Sequence, residues 1–234
     1  MRLSLIIPAY NAADTMERSV TTIIRKLELP KNEYEIIIAE DGSTDGSERV
    51  AFELSKKFKN VRCLSSRTRK GKGMALKDAF RAARGRFIAF MDVDLSSDLA
   101  CIPNMIRKLE EGADVVVGSR NVKGSVVERS LTRGLMSASY NFLAQILLGT
   151  GIKDLQCGCK AFNRAALPFA LSAKSDGFFW DTEFLLAAER NGLRMEEVPI
   201  SWTEFKKTKV RPVDSFKMFA SLVKLRLGIS AAYL

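Results

Sequence analysis

The chain contains no histidine and only 4 cysteines, so the side chains that most often bind zinc are scarce. Cys157 and Cys159 are close together, but one intervening residue is too short a spacing for the usual CxxC metal motif. The sequence therefore argues against a zinc site. We expect the cysteines to be reduced and half-buried in a cytoplasmic protein.

Long apolar runs are also missing, since a membrane-spanning helix needs about 20 such residues in succession. The longest candidate, Leu135–Leu148, is shorter and is interrupted by serine, asparagine and glutamine. No signal peptide is expected, because Arg2 leads directly into the strand-like run Leu3–Ile7. Apolar and basic residues alternate over Phe216–Leu234 and predict an amphipathic helix, which fits either a membrane surface or packing against the protein's own core.

Two nucleotide-binding fingerprints are absent as well. No GxGxxG follows the first predicted strand and no GxxxxGK[ST] occurs, which disfavours a nicotinamide-binding Rossmann domain and a P-loop. A basic, glycine-rich segment, Arg69–Gly73, does open a predicted helix. Its backbone N–H groups and positive charges are expected to suit a phosphate-bearing ligand.

Positive charge is plentiful: 37 Lys and Arg against 27 Asp and Glu give a net charge of +10. Such an excess repels itself unless an anion is near, which favours nucleic acid, a phosphorylated ligand or an anionic membrane. A merely soluble basic surface is the alternative. With 47% apolar and 27% charged residues the composition is globular, and we expect one α/β domain over residues 1–234.

Strand and helix patterns alternate in the first half of the chain. This alternation predicts right-handed βαβ units and a mostly parallel central sheet flanked by helices. Asp14 and Glu17 resemble a capping box at the start of the first helix. The predicted strands are Leu3–Ile7, Glu35–Ala39, Val61–Leu64, Phe87–Met91 and Val115–Gly118, and the predicted helices are Thr15–Leu27, Ser47–Phe58, Met74–Arg84 and Ile102–Glu111.

The alternation stops after Gly118. No linker or low-complexity tract follows, so the second half is expected to extend the same domain. Its predicted helices are Arg129–Leu148, Thr182–Asn191 and Val213–Leu227, and its predicted strands are Gly158–Phe162 and Met195–Thr203.

Acidic residues crowd the carboxyl ends of neighbouring strands, where parallel sheets bind ligands. Asp41 follows the second strand, and Asp92 and Asp94 follow the fourth. Residues two apart on an extended backbone point the same way, so these last two are predicted to bind Mg2+ or Mn2+ together with diphosphate oxygens. The competing interpretation is that Asp-x-Asp only caps the next helix.

These ordered motifs resemble the family 2 glycosyltransferases of GT-A fold, and in particular the dolichyl-phosphate mannose and glucose synthases. The resemblance runs from Leu3 to about Met218. It rests on Ile7–Asn11, Asp41–Gly46, Gly71–Gly73, Asp92–Asp94, Gly118–Arg120, Arg129–Arg133, Asp154–Lys160 and Thr208–Val210.

The resemblance implies inverting transfer of a hexose, mannose or glucose, from a GDP- or UDP-sugar to a polyprenyl phosphate. It implies a nucleotide-sugar-binding half over residues 1–120 and an acceptor-binding half over 121–234. Because the expected acceptor is a lipid and no spanning segment is present, we expect a peripheral position on the cytoplasmic face of a membrane, held by the basic excess and the C-terminal amphipathic helix; a membrane-protein partner is the alternative.

Residue roles follow from the same resemblance. The nucleotide sugar is expected to contact Pro8, Tyr10, Asn11, Asp41, Lys72 and Asp92. The metal is expected at Asp92, Asp94 and Ser96, the catalytic residues are Asp94, Arg120 and Arg133, and the acceptor phosphate is expected at Arg129, Arg133, Lys209 and Arg211. The chain departs from the family pattern at Ala12, at Glu40 and at Lys206–Lys207, and the last change affects the expected acceptor loop.

Several alternatives stay open from sequence. Arg129 and Arg133 lie four apart on a predicted helix, which suits either one bound phosphate or a solvated basic face. Asp181 is a candidate general base, although it and Glu183 also fit simple charges at a helix start. Transfer to a sugar hydroxyl is the competing enzymatic function. A nucleic-acid-binding protein would explain the charge, but the acidic strand ends would repel a phosphate backbone, so no nucleic-acid partner is expected.

Overall fold

Short apolar and β-branched runs form the strands of a seven-stranded sheet. The computed structural model describes residues 1–204 and 212–227. The strands are β1 (Leu3–Ala9), β2 (Tyr34–Glu40), β3 (Val61–Ser65), β4 (Phe87–Met91), β5 (Val115–Ser119), β6 (Val126–Glu128), β7 (Cys159–Asn163), β8 (Met195–Pro199) and β9 (Ser201–Thr203). The helices are α1 (Ala13–Lys26), α2 (Ser47–Lys57), α3 (Lys72–Ala82), α4 (Cys101–Glu110), α5 (Leu131–Leu148), α6 (Leu167–Ser172), α7 (Trp180–Arg190) and α8 (Pro212–Arg226).

The strand order of the main sheet is β3-β2-β1-β4-β7-β5-β8, and β6 pairs with β9 in a separate two-stranded sheet. Strand β7 runs antiparallel to both β4 and β5, whereas the other pairs of the main sheet are parallel. The prediction of a mostly parallel sheet flanked by helices is confirmed. Because β1, β2 and β4 are parallel neighbours, the segments that follow them meet at one edge of the sheet.

Both faces of the sheet are covered, which explains why its central strands are apolar almost without interruption. Leu5 and Ile7 of β1 face a core shared with α1, α2 and α4, and Ile6 faces a second core shared with α3, α5, α7 and α8. This alternation follows from the two-residue period of a strand. Trp180, at the start of α7, stacks on Phe184 with ring centroids 5.3 Å apart and anchors the second core.

Several predicted boundaries were wrong for local reasons. The expected strand Met195–Thr203 is divided, because Pro199 lacks an N–H group and the chain passes from the main sheet to the small one after it. Helix α1 begins at Ala13 without a side-chain cap, so the capping box was also wrong. Instead, the amide of Ala13 donates to Asp45 Oδ2 at 3.0 Å, and the amide of Ala12 donates to Ser47 Oγ at 2.7 Å. Strand β6 and helix α6 were not predicted, because neither segment has a clear sequence pattern.

Three of the cysteines are more buried than expected. Cys101, Cys157 and Cys159 are buried and only Cys63 is half-buried, and all four are free thiols. Three of them sit against β4 and β7 in the interior, where a small apolar side chain packs well. Within residues 1–204 and 212–227, none of the helices has the length and apolar character needed to cross a membrane.

Candidate active site

The site lies where β1, β2 and β4 end. Asn11 adopts a left-handed backbone conformation just after β1, with φ of 49°. Its side-chain oxygen accepts a hydrogen bond from the Thr44 amide at 2.9 Å, and its own amide donates to Ser43 Oγ at 2.9 Å. The segment after β1 is therefore tied to the segment after β2, and Asn11 supports the shape of this edge.

Asp41, at the end of β2, is buried and fixes the segment Arg69–Gly73, which we call the basic loop. Its two carboxylate oxygens accept hydrogen bonds from the amides of Lys70 at 2.7 Å and Gly71 at 2.8 Å. The loop is thereby held beside Tyr10, whose ring lies 4.1 Å from the Arg69 guanidinium carbon. Asp41 therefore holds the basic loop next to Tyr10, and both residues were expected to bind the nucleoside.

The phosphate cradle expected from the backbone amides of the basic loop is wrong for three of its five residues, Lys70, Gly71 and Gly73. Asp41 already takes the amides of Lys70 and Gly71, and the Asp176 carbonyl accepts those of Gly73 and Met74 at 2.7 and 3.3 Å. A donor that is already engaged cannot bind a ligand without breaking that bond. Any attraction of the basic loop for a phosphate therefore comes mainly from its Lys and Arg side chains.

Lys72 points from the basic loop to the end of β4. Its ammonium donates to Asp92 Oδ1 at 2.8 Å, and its side chain is mostly buried. Burial alone would lower the pKa of Lys72, but the carboxylates of Asp92 and Asp181 outweigh that effect and raise the pKa above its ordinary value. A permanent positive charge thus sits beside the first carboxylate of the Asp-x-Asp motif.

Asp94 faces the same edge as Asp92. Its Oδ1 accepts the Ser96 amide at 3.0 Å, across a tight bend in which Leu95 has φ of 54°. Ser96 is itself nearly buried. Among the described residues, no three His, Cys, Asp or Glu side chains come together as a metal site. The oxygen donors of Asp92 and Asp94 suit a hard divalent cation, but the ion would need further oxygens from a bound ligand.

Arg120 is engaged beneath the site. Its guanidinium makes two hydrogen bonds to the carboxylate of Asp154, at 2.7 and 2.8 Å, and its backbone amide adds a third at 2.9 Å. Asp154 is completely buried. Burial would raise the pKa of Asp154, but Arg120 outweighs it and holds the pKa below its ordinary value. Arg120 was expected to act in catalysis, but in the structure its guanidinium binds a protein carboxylate.

Arg129 is placed differently from the expectation. Helix α5 begins at Leu131, so Arg129 precedes the helix and does not share a helical face with Arg133. Its Nη1 atom is buried without a hydrogen-bond partner among the described residues. Burial, and then the nearby Arg120, lower the pKa of Arg129 below its ordinary value. Arg133 lies in the first turn of α5, but its side chain is outside the described structure, as are Lys209 and Arg211.

Asp181 lies in the first turn of α7 and is 4% exposed. Its Oδ1 atom accepts a hydrogen bond from the Lys160 ammonium at 2.6 Å. Glu183 Oε2 accepts the amide of Ser175 at 2.7 Å and so holds the loop before α7. The sequence assigns no role to Asp154 or Lys160. Each is defined by its ion-pair partner, which lies 34 residues away for Asp154 and 21 residues away for Lys160.

Solved structures identify the class of this fold. Glucosyl-3-phosphoglycerate synthase from Mycobacterium tuberculosis, in complex with UDP, has a TM-score of 0.71 at 22% identity, over 97% of this chain and 80% of that one. Mannosyltransferase PcManGT from Pyrobaculum calidifontis, in complex with GDP-Man and Mn2+, has a TM-score of 0.63 at 17% identity, over 97% of this chain and 63% of that one. The fold is that of the GT-A glycosyltransferases.

Sequence relatives then identify the family. The profile of Glycosyl transferase family 2 matches residues 4–168, and the chain belongs to that family. It is 37% identical over 214 residues to glycosyltransferase AglD of Haloferax volcanii, covering 90% of this chain and 34% of AglD. It is 32% identical over 249 residues to dolichyl-phosphate beta-glucosyltransferase of Saccharomyces cerevisiae, covering 97% of this chain and 74% of the yeast enzyme. The predicted resemblance and the prediction of a glycosyltransferase are confirmed.

The buried Arg120–Asp154 pair generates a stability prediction. Asp154→Asn should lower the free energy of unfolding at pH 7 by about 3–5 kcal/mol, because it leaves the Arg120 charge buried without a counter-charge. The folded-state pKa of Asp154 is depressed, so its contribution is present above the unfolded pKa of about 3.9 and is lost as the pH falls through the lower folded value. The difference between wild type and variant should therefore shrink in acid, as measured by urea unfolding.

The matched control is Asp78→Asn, which removes a carboxylate from exposed ion pairs with Lys70 and Arg81. Exposed pairs contribute at most about 1 kcal/mol, so this variant should unfold almost like wild type. Equal effects of the two substitutions at pH 7 would contradict a structural role for the Arg120–Asp154 pair.

Proposed function

We propose that the chain transfers a hexose, with inversion, from a nucleoside-diphosphate sugar to a polyprenyl phosphate. The observation that carries this proposal is the position of Arg129. Arg129 directly precedes α5, a helix whose outer face is apolar and exposed, and its buried Nη1 atom has no hydrogen-bond partner in the part of the chain that the structure describes. A phosphate attached to a hydrocarbon chain would satisfy both features at once.

A phosphate is well matched to Arg129. A guanidinium binds phosphate through charge-assisted hydrogen bonds, which are stronger than bonds between neutral groups. Arg129 also lies near Arg120, so an anion there would reduce the repulsion that lowers its pKa. The two arginines differ in their availability, because Arg120 is already bonded to Asp154.

Helix α5 supplies the apolar part. It contains no Asp or Glu, and large apolar side chains project from it into solvent. These residues recur at helical spacing along one side of the helix: Leu131, Leu135, Phe142 and Ile146, with Met136 beside them. Exposed apolar patches of this kind mark interaction sites. We call this surface the α5 face.

The proposed reaction needs no general base. The second pKa of a phosphate monoester is about 6, so the acceptor is already a dianionic nucleophile at neutral pH. Asp181, the nearest candidate base, is buried and ion-paired with Lys160. Transfer to a sugar hydroxyl would require such a base, and this geometry favours it less.

The departing diphosphate must be stabilised at the acidic edge. Lys72 would contribute its charge there, and Asp92 and Asp94 would hold Mg2+ or Mn2+, with Ser96 as a neighbouring oxygen. A bound divalent ion would neutralise negative charge on the leaving diphosphate.

The nucleoside would be bound by Pro8, Tyr10 and Asp41. Residues 1–120 would form the donor half, and residues 121–234 would form the acceptor half. GDP-mannose and UDP-glucose both remain donors within this proposal.

A donor screen tests the activity. GDP-mannose and UDP-glucose are incubated with a short polyprenyl phosphate and Mg2+ or Mn2+, and the sugar-lipid product is measured. Arg129→Ala should raise the KM for the acceptor by about tenfold or more, since it removes a charged hydrogen bond, and should leave the KM for the donor unchanged. Lys123→Ala, which removes an exposed positive charge from the β5–β6 connection, should change neither constant.

Sugar transfer to a glycan hydroxyl, with no sugar-lipid from either donor, would place the chain in the competing class. An unchanged acceptor KM in Arg129→Ala would remove Arg129 from the acceptor site.

We further propose that the chain lies peripherally on the cytoplasmic face of a membrane. Helix α8 packs against α5, with the rings of Tyr140 and Phe219 5.5 Å apart. Helix α8 carries Lys217, Lys224 and Arg226, so basic residues lie on the helix that packs against α5. Each basic residue near an anionic surface contributes about 1 kcal/mol, and salt screens that attraction.

Replacing Phe142 and Ile146 together by Ser should weaken binding to anionic liposomes by about tenfold or more, because each apolar side chain contributes about 1.5–3 kcal/mol when buried. Flotation with increasing salt separates the apolar part from the electrostatic part. Phe52→Ser is the control, since Phe52 is also an exposed aromatic side chain but lies on α2, in the opposite layer of the fold. Equal flotation of all three proteins would contradict a lipid-binding α5 face and point to a membrane-protein partner.

A further inference from the structure

We propose that Lys160 and Asp181 form a positioning pair that sets the carboxylate of Asp92 for binding of a divalent ion and nucleoside diphosphate. This inference rests on the proposed function and deepens it. It assigns Asp181 a role other than that of a general base, and it assigns a function to Lys160, which contacts no expected ligand.

Lys160 is completely buried in the middle of the sheet. On β7 it lies between Phe90 of β4 and Val117 of β5. Its ammonium donates to Asp181 Oδ1 and to the carbonyl oxygen of Cys157, both at 2.6 Å. The charge of Asp181 therefore holds the ammonium, and the ammonium holds the peptide between Cys157 and Gly158.

The next residue, Gly158, touches the reaction site directly. Its carbonyl accepts the Asp92 amide at 3.0 Å. A Cβ atom added to Gly158 would overlap Asp92 Oδ2, so the carboxylate rests against the Gly158 backbone. Lys72 binds the other carboxylate oxygen of Asp92 at 2.8 Å. Asp92 is thus fixed on one side by a side chain and on the other by the peptide that Lys160 holds.

Packing alone does not account for this ion pair. Burying two charges is expensive, and well-packed apolar residues of similar volume are often as stabilising or more so. An apolar pair could not donate a hydrogen bond to the Cys157 carbonyl, and that bond is what links the pair to Asp92. Groups hydrogen-bonded directly to a metal ligand commonly change metal affinity by about 10- to 100-fold when they are altered, and the Lys160–Asp181 pair acts one contact further out, through the Gly158 backbone.

The test uses the double variant Lys160→Met, Asp181→Asn, because removing either charge alone would leave the other buried and unpaired. Its control is Glu35→Gln, Arg62→Met, which neutralises another largely buried ion pair, at the start of β2 and far from Asp92 along the strands. Mn2+ with UDP, and Mn2+ with GDP, are titrated calorimetrically without acceptor, and thermal unfolding is followed for each protein.

The double variant should bind the Mn2+–nucleotide preferred by wild type about threefold to tenfold more weakly, whereas the control pair should bind it normally even when its thermal stability falls as much. Asp94→Asn serves as the positive control for lost metal binding. Normal affinity in a folded double variant would overturn the inference. Wild type that binds neither nucleotide would overturn the proposed function, and the inference with it.

The single variant Asp181→Asn, less stable than the double variant because Lys160 loses its counter-charge, separates positioning from proton transfer when it is assayed below its unfolding temperature. Its amide still offers an oxygen to Lys160 but no charge, so nucleotide affinity should fall measurably while kcat at saturating donor changes little. A general base would give the opposite split, with normal affinity and a large loss of kcat. That opposite result would overturn the positioning role.

Discussion

The structure depends on how the negative charge at the ends of β2 and β4 is balanced. Asp41 is neutralised by backbone amides, and Asp92 by the Lys72 ammonium. Below them, Asp154 and Asp181 are buried and each has its own cation. Of the two carboxylates in the Asp-x-Asp motif, only Asp92 bonds the Lys72 ammonium directly; Asp94 bonds a backbone amide and feels the same cation from farther away.

This distribution explains why similar side chains have different roles. Arg120 and Arg129 lie near one another, yet Arg120 is held in a bidentate pair, whereas Arg129 has a buried nitrogen with no partner within the described residues. Lys72 and Lys160 both approach the Phe90 ring, at 5.6 and 5.4 Å, but only Lys72 reaches the aspartate of the metal motif. The role of each cation therefore depends on which carboxylate it meets and on where that carboxylate lies.

Much of the fold could be predicted from sequence, because its information is local. Buried strands such as Phe87–Met91 are short apolar runs, and parallel order follows from their alternation with helices. The antiparallel position of β7 between β4 and β5 could not be predicted, since it depends on contacts between distant segments. The predicted start of α5 at Arg129 was also too early, because sequence patterns locate the ends of helices only to within a few residues.

The site was predicted only in outline. Asp92 and Asp94 were recognisable because they directly follow an apolar strand, but β4 ends at Met91 and the chain turns between Asp92 and Leu95, so the expected extended spacing was wrong. The amides of the basic loop were misjudged, since Asp41 and the Asp176 carbonyl occupy them from elsewhere in the chain. Lys160 and Asp154 gave no sequence signal of a role, because a buried ion pair is defined by its partner and not by its neighbours in sequence.

The central claim is that the acceptor is a phosphate that needs no protein base. The most direct test is the pH dependence of kcat/KM for polyprenyl phosphate, measured at saturating donor in wild type and in Asp181→Asn. Our account predicts that the rate falls in acid with an apparent pKa of about 6 in both proteins, since the titrating group is the acceptor itself. Loss of that acid limb in Asp181→Asn, together with a roughly thousandfold lower kcat, would contradict it and assign proton transfer to Asp181.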